Sequence, residues 1–388
     1  MGKATVEQGS AQFNKIQFIG TAISTTPSNL TSIDEYSDYG FYAGLEDEQK
    51  DIEERISLIR SIIEKIVKGN KFDKDPSTLK IIVFPEFLMR GTKGAYLYQN
   101  LLPFVQSIIE LVNREDILLV IGSILSSEIP ASKNTDFYNT GDDLLNIYFR
   151  LHQENGRKKL KSLLKRADEI GTFIKAENDD AFDEILVKTL EYSDIMATQV
   201  IRNCCYIVGN SYCNTVLKQY KSKEDFILNT NFNNSLDDTP LFLQTTTKYA
   251  EINETADSNG SVFEYGGIKF GIEICLDHKR KRLKNLGITP VDVQIIPSCG
   301  MKINPESVVV REGGYVFNCD GEYELDPDDN IGGENGTNSH TSLCTLSKGA
   351  LSHAYAPIDK MLISQSDLKQ FYRNDSYTIH FYETKSII

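Results

Sequence analysis

Three short runs that are apolar almost throughout, residues 79–84 (LKIIVF), 117–125 (ILLVIGSIL) and 291–297 (VDVQIIP), constrain this chain most. A strand open to water on one face alternates apolar and polar side chains, whereas an almost continuous apolar run suits a strand covered on both faces, as in a flanked parallel sheet. Residues 15–24 (KIQFIGTAIS) read as a preceding strand. Over 46–68, Ile52, Ile56, Ile59, Ile62, Ile63 and Ile66 recur at helical spacing, which predicts an amphipathic helix with a charged outer face. A second helix over 101–113 precedes the run at 117. Strand, helix, strand, helix, strand in that order predicts an α/β core.

From 126 to 199 the character changes to dense charge, as in GRKKLKSLLKR and AENDDAFDEILVK, with spaced Leu and Ile that predict surface helices. This segment reads as a helical insertion, either solvated decoration or a lid or partner-binding element, within a single domain spanning 1–388. Two hairpins follow, 204–208 with 213–220 about Gly209 and Asn210, and 261–264 with 268–274 about Gly266 and Gly267. The run HKRKRLKNLG then predicts a basic helix closed by Gly287.

Lys plus Arg number 41 against 55 Asp plus Glu, a net charge of -14, which argues against a general phosphate-backbone binder or an anionic-membrane binder. Neither nucleic acid nor a membrane is an expected partner. The apolar runs are far shorter than the roughly 20 residues that span a bilayer. The start MGKATVEQGS has no signal-peptide core, and Val6 stands where a myristoylation signal wants Ser or Thr, so a cytoplasmic location is expected. The seven cysteines show no CxxC pair and the five histidines no metal-binding interval, so no metal site is expected.

Cys275 ends an alternating strand (Ile268, Phe270, Ile272, Ile274) and precedes a charged helix. Such a strand-to-helix turn presents a side chain where α/β folds bind ligands. Glu86 ends a different apolar strand, and burial there would raise its pKa toward that of a working general base. Between them lie Lys248 in TTTKYAEINE and Lys221 and Lys223 in VLKQYKSKED. A lysine beside a tetrahedral oxyanion supplies the charge that acyl transfer needs. His278 also neighbours Cys275, although Cys–His pairs normally come from separate segments.

Taken together, VFPE, a lysine after a polar loop, and GIEICLD form an ordered set that resembles the nitrilase superfamily of carbon–nitrogen hydrolases, with VIGS at 120–123 and IIPS at 295–298 in agreement. Arg311, Glu312 and Asn318 fall where that family carries an arginine-bearing helix and a following Asn strand. The resemblance implies an α/β four-layer αββα sandwich, homodimer pairing through sheet-covering helices, and no metal or organic cofactor. It also implies hydrolysis of a small-molecule amide or nitrile through a cysteine thioester. In the implied triad Glu86 is the base, Cys275 the nucleophile and Lys248 the oxyanion partner, with Lys221 and Lys223 as alternatives and Glu254 as a second pocket carboxylate. Lys279, Arg280 and Arg282 stand where the family has an aromatic-proline-glutamate run, either a basic rim suited to an acidic substrate or a solvated helix face. An acyltransferase with the same triad, an idle scaffold binding through the insertion and a thiol redox sensor are the competing functions.

Overall fold

A computed structural model describes residues 12–26, 31–32, 38–39, 43–92, 95–128, 199–220, 247–249, 260–321, 340–352, 354–372 and 376–387. The charged insertion therefore lies largely outside the described residues, as do Lys221, Lys223 and Glu254. In chain order the main elements are β1 (Lys15–Ala22), α1 (Glu48–Lys68), β2 (Thr78–Val83), β3 (Ile117–Glu128), β4 (Gln199–Gly209) and β5 (Tyr212–Leu217). Next come β6 (Val262–Tyr265), β7 (Ile268–Ile272), α2 (Leu276–Lys279), α3 (Arg282–Asn285), β8 (Val291–Ser298), β9 (Val310–Asp320) and β10 (Ser342–Ser347). The chain closes with β11 (Asp359–Ser364) and β12 (Ser376–Phe381).

One sheet runs in the order β11–β12–β1–β2–β3–β4–β5, and the other contains β6–β7–β8–β9–β10. β1, β2 and β3 pair in parallel, as do β7, β8 and β9. The period of two along each strand explains how the layers stack. Phe18, Ile81, Val120 and Ile207 face Phe270, Ile295 and Phe317 of the second sheet in one core. Their neighbours Ile19, Ile82, Leu119 and Val208 share the other core with Ile52, Ile59, Ile62 and Ile66 of α1. The apolar runs are thus strands buried on both faces. Asp47 caps α1 by accepting from the Lys50 N–H.

Among the described residues the helices beyond the second sheet are short. The expected basic helix is two four-residue helices broken at Lys281, whose φ of 58° lies in the left-handed region. Arg311 and Glu312 lie on β9 rather than on a helix. The expected helix over 101–113 is likewise two short pieces, Tyr98–Leu101 and Val105–Ile109, joined by a 3-10 turn that contains Pro103, which has no N–H to continue a ladder. The two sheets and their flanking helices follow the expected αββα order, the fourth layer consisting of short helices among the described residues. No helix among the described residues is long and apolar enough to cross a membrane.

One buried group makes the fold sensitive to acid. His380 on β12 is 3% exposed, and neither ring nitrogen has a hydrogen-bond partner among the described residues. Burial, with the charge of Lys360 adding to it, lowers its pKa from 6.5 to about 4. As pH falls from 6.5 toward 4 the unfolded chain takes up a proton that the folded chain refuses, so stability is lost across that window. Urea titrations at pH 7.5 and 4.5 should show the stability of the wild type relative to His380→Leu falling by about 2–3 kcal/mol on acidification. An unchanged difference would mean that the imidazole accepts its proton in the folded state.

Candidate active site

Glu86 follows β2 after Phe84 and Pro85, at the C-terminal end of the first sheet, and is 1% exposed. Its backbone N–H donates to the Ser298 carbonyl at 3.2 Å, tying the end of β2 to the end of β8 in the other sheet. Two features of VIGS hold it there. Gly122 leaves room for the Pro85 carbonyl oxygen, which would lie 1.6 Å from a Cβ at that position. Ser123 Oγ accepts the Phe87 N–H at 2.9 Å. Oε1 of the carboxylate accepts from Asn203 Nδ2 at 2.9 Å and from Lys218 Nζ at 2.8 Å.

Lys218 stands just past β5 and is fully buried. Its backbone N–H donates to the carbonyl of Asn203 at 2.9 Å, so Asn203 holds the lysine's main chain and the glutamate's side chain together. The next two backbone N–H groups, of Gln219 and Tyr220, donate to the carboxylate of Asp277 at 3.0 and 2.8 Å. Asp277 lies two residues beyond Cys275, so this clamp ties the lysine's strand end to the cysteine's turn. Burial pushes the Asp277 carboxyl up to about 7, against the pull of Arg282 and of the Tyr220 and Gln219 N–H groups.

Cys275 occupies the elbow between β7 and α2 with φ 44° and ψ -104°, a backbone that non-glycine residues rarely adopt. Its N–H donates to the Pro297 carbonyl at 3.0 Å, and its Sγ lies 3.9 Å from the Cys299 carbonyl oxygen. IIPS therefore supplies the carbonyls that hold Cys275 and Glu86. Burial pushes the thiol well above its ordinary pKa, the Glu86 carboxylate adds to this both by charge and by a side-chain hydrogen bond, and Lys218 opposes it. A proton held on sulfur beside a carboxylate is the resting arrangement of a thiol–base pair. A second thiol, Cys299, accepts from Thr25 Oγ1 at 3.6 Å and is likewise pushed up by burial.

The structure brings Glu86 and Cys275 together, and the lysine it sets against them is Lys218. The backbone of Lys248 lies on a short strand, Thr247–Tyr249, opposite Val200 of β4. That is three residues along β4 from Asn203, about 10 Å at the rise of a strand. Lys218 was readable by parity: Val216 faces inward on β5, and a residue two places on shares its face. His278 is a structural histidine. Asn304 N–H donates to its Nε2 at 3.0 Å, which leaves Nδ1 to donate to Glu273 at 2.6 Å, so both nitrogens are occupied away from Cys275. Arg282 is 2% exposed and bonds Asp277 and Ser261, while Lys279 and Arg280 are exposed. The basic rim thus loses one of its three members to the interior. Among the described residues no group of three or more His, Cys, Asp or Glu is placed to hold a metal ion.

The Glu86–Lys218 pair has a measurable signature of its own. Lys218→Met should cost about 3–5 kcal/mol by leaving a buried carboxylate uncompensated, and adding Glu86→Gln should recover most of it. Simple additivity of the two losses in denaturant melts would contradict a direct pair.

No family model matches this sequence, and no curated protein matches it. Solved structures do resemble it in course of chain. A carbon–nitrogen hydrolase from Helicobacter pylori shares 9% identity at a TM-score of 0.39, covering 95% of this chain and 89% of that one. An amidase from Nesterenkonia sp. shares 8% at 0.35, covering 98% and 93%. A CN-hydrolase superfamily protein from Xanthomonas campestris, with an arsenic adduct in its active site, shares 6% at 0.39, covering 96% and 91%.

Proposed function

We propose that this chain is a nitrilase-type carbon–nitrogen hydrolase that cleaves a small-molecule amide or nitrile through a thioester on Cys275. The observation that carries the reading is the buried 2.8 Å contact between Lys218 and Glu86, with the thiol of a strained elbow beside it. Lys218, in place of Lys248, Lys221 or Lys223, is the lysine of this triad.

For an amide, the chemistry runs as one charge moving between three atoms. Glu86 takes the Cys275 proton as sulfur attacks the carbonyl carbon, and the negative charge passes from carboxylate to substrate oxygen. Lys218 Nζ takes up the charge on that oxygen, so the oxyanion forms beside a cation already in place. The C–N bond breaks as Glu86 returns its proton to the leaving nitrogen, and ammonia or an amine departs. Water then gives a proton to Glu86 and attacks the thioester; collapse of the second tetrahedral oxyanion expels the sulfur, which regains the proton, and a carboxylic acid leaves. The lysine keeps an anionic partner throughout, which avoids stranding a buried cation.

An acyltransferase would use the same steps with an amine in place of water, and an ordinary amine acceptor at millimolar concentration would then displace the free acid as the main product. Against a panel of short aliphatic amides, Cys275→Ala should abolish turnover, and Lys218→Met should lower kcat/KM by at least about a hundredfold, the scale of losing an oxyanion donor. Lys248→Met should change kcat/KM less than threefold. A large loss in Lys248→Met with little in Lys218→Met would transfer the role back to Lys248.

A further inference from the structure

We infer that Cys275 and Cys299 form a disulfide when a small hydroperoxide reaches the site, so that the nucleophile is masked reversibly rather than oxidised past recovery. The inference rests on the proposed reading for the pairing of Cys275 with Glu86 as its base, while the bond itself is read without any turnover.

The two cysteines stand just beyond the C-terminal ends of β7 and β8, neighbouring parallel strands. The Cys275 N–H donates to the Pro297 carbonyl at 3.0 Å, and Cys275 Sγ lies 3.9 Å from the carbonyl oxygen of Cys299. A carbonyl oxygen lies about 2.4 Å from its own Cα, so the Cys275 sulfur is within roughly 6 Å of the Cys299 Cα. The Cys299 sulfur meets the Thr25 hydroxyl at 3.6 Å, a weak contact that a side-chain rotation gives up at little cost. Bond formation asks for such rotation at both residues, since the sulfurs must close to about 2 Å.

Exposure and sidedness separate Cys299 from the other thiols. Cys275 and Cys299 are both half-buried, whereas Cys205, Cys319 and Cys344 are buried. Cys204 packs on the α1 side of the first sheet, away from the core that Cys275 joins. Cys213 lies opposite Val208, which faces that same α1 side.

A protonated thiol reacts slowly with peroxide until a base takes its proton, and burial holds both thiols protonated. The charge of Glu86 acts on both, after burial at Cys275 and after burial and Asp320 at Cys299, so one carboxylate serves the pair. In the first step the Cys275 sulfur attacks a peroxide oxygen and Glu86 takes the thiol proton. The O–O bond breaks, the departing hydroxide collects that proton as water, and sulfur is left oxidised as a sulfenic acid. In the second step the Cys299 sulfur attacks the sulfenic sulfur, and Glu86 passes the Cys299 proton to the hydroxide that leaves. Two thiols and one hydrogen peroxide thus give one disulfide and two waters. A small thiol reverses the bond by exchange. Without Cys299 the sulfenic acid meets further peroxide and passes to sulfinic and sulfonic acids, which thiols do not reduce.

The test reads the bond directly. The reduced full chain is treated with hydrogen peroxide, blocked with iodoacetamide and digested without reductant. The peptides carrying Cys275 and Cys299 should appear joined, lighter than their sum by two hydrogens, and should part on adding dithiothreitol. Glu86→Gln should slow the joining by at least about tenfold. Cys299→Ser should instead carry Cys275 to sulfinic and sulfonic acid that dithiothreitol does not restore. The wild-type peptide map depends on no variant's folding. Sulfinic acid on Cys275 at equal rates in wild type and Cys299→Ser, a bridge from Cys275 to another cysteine, no oxidation of Cys275, or an unchanged rate in a folded Glu86→Gln would each overturn the inference. A joined pair in a protein that turns over no amide would uphold the disulfide and sink the hydrolase reading, and Cys275-dependent turnover with no joined pair would do the reverse.

Discussion

A lysine ammonium and a glutamate carboxylate, 0% and 1% exposed and 2.8 Å apart, set the terms for the rest of this structure. Removing two such charges from water costs several kcal/mol per ion, and their attraction offsets this only when the geometry is held and further hydrogen bonds are made. The surroundings supply that holding. Asn203 bonds both partners, Ser298 takes the Glu86 N–H, and Asp277 takes the two N–H groups that follow Lys218. Gly122 is the steric counterpart, because any side chain there would collide with the carbonyl just ahead of Glu86. A buried ion pair is weak evidence for stability, and this one draws backbone from both sheets toward one thiol, which is the economy of a site rather than of a core.

The same logic sorts the other buried polar groups near the cysteine. Glu273 accepts from His278, from the Leu283 N–H and from Gln294 Nε2, so it serves as the hub under the α2–α3 turns. His278 beside Cys275 in sequence is turned into that hub, and the base for the thiol comes from the opposite sheet. Asp277 and Arg282 form a second buried pair whose carboxylate faces the lysine's strand end. Two carboxylates and a histidine within a few residues of Cys275 thus do structural work, and the carboxylate set against the sulfur is that of the distant Glu86.

Much of this was legible in the sequence, and the unread part has a physical cause. Continuous apolar runs identified β2, β3 and β8 because strands buried on both faces leave no polar alternation. Glu86 and Cys275 stood out because the first follows a continuous apolar run and the second an alternating one, and a polar side chain at a strand end needs a reason. VIGS and IIPS were recognisable as words, yet their work is done by backbone carbonyls, a missing Cβ and one hydroxyl, which no residue type announces. Lys218 went unread because a lysine is ordinarily a surface residue, and only the inward parity of Val216 marks it as buried. The basic helix after Cys275 was read as one unit because helical spacing does not reveal the left-handed break at Lys281 that turns Arg282 inward.

The central claim is that sulfur, carboxylate and ammonium here act as one catalytic unit with a covalent intermediate. Its most direct test is rapid acid quenching of the wild-type protein during turnover of an amide it hydrolyses, followed by mass analysis of the peptide carrying Cys275. A transient mass gain equal to the substrate's acyl group, on Cys275 and discharged by hydroxylamine, is the predicted result. Sustained hydrolysis with no acyl group on Cys275, or with the acyl group on another residue, would contradict it.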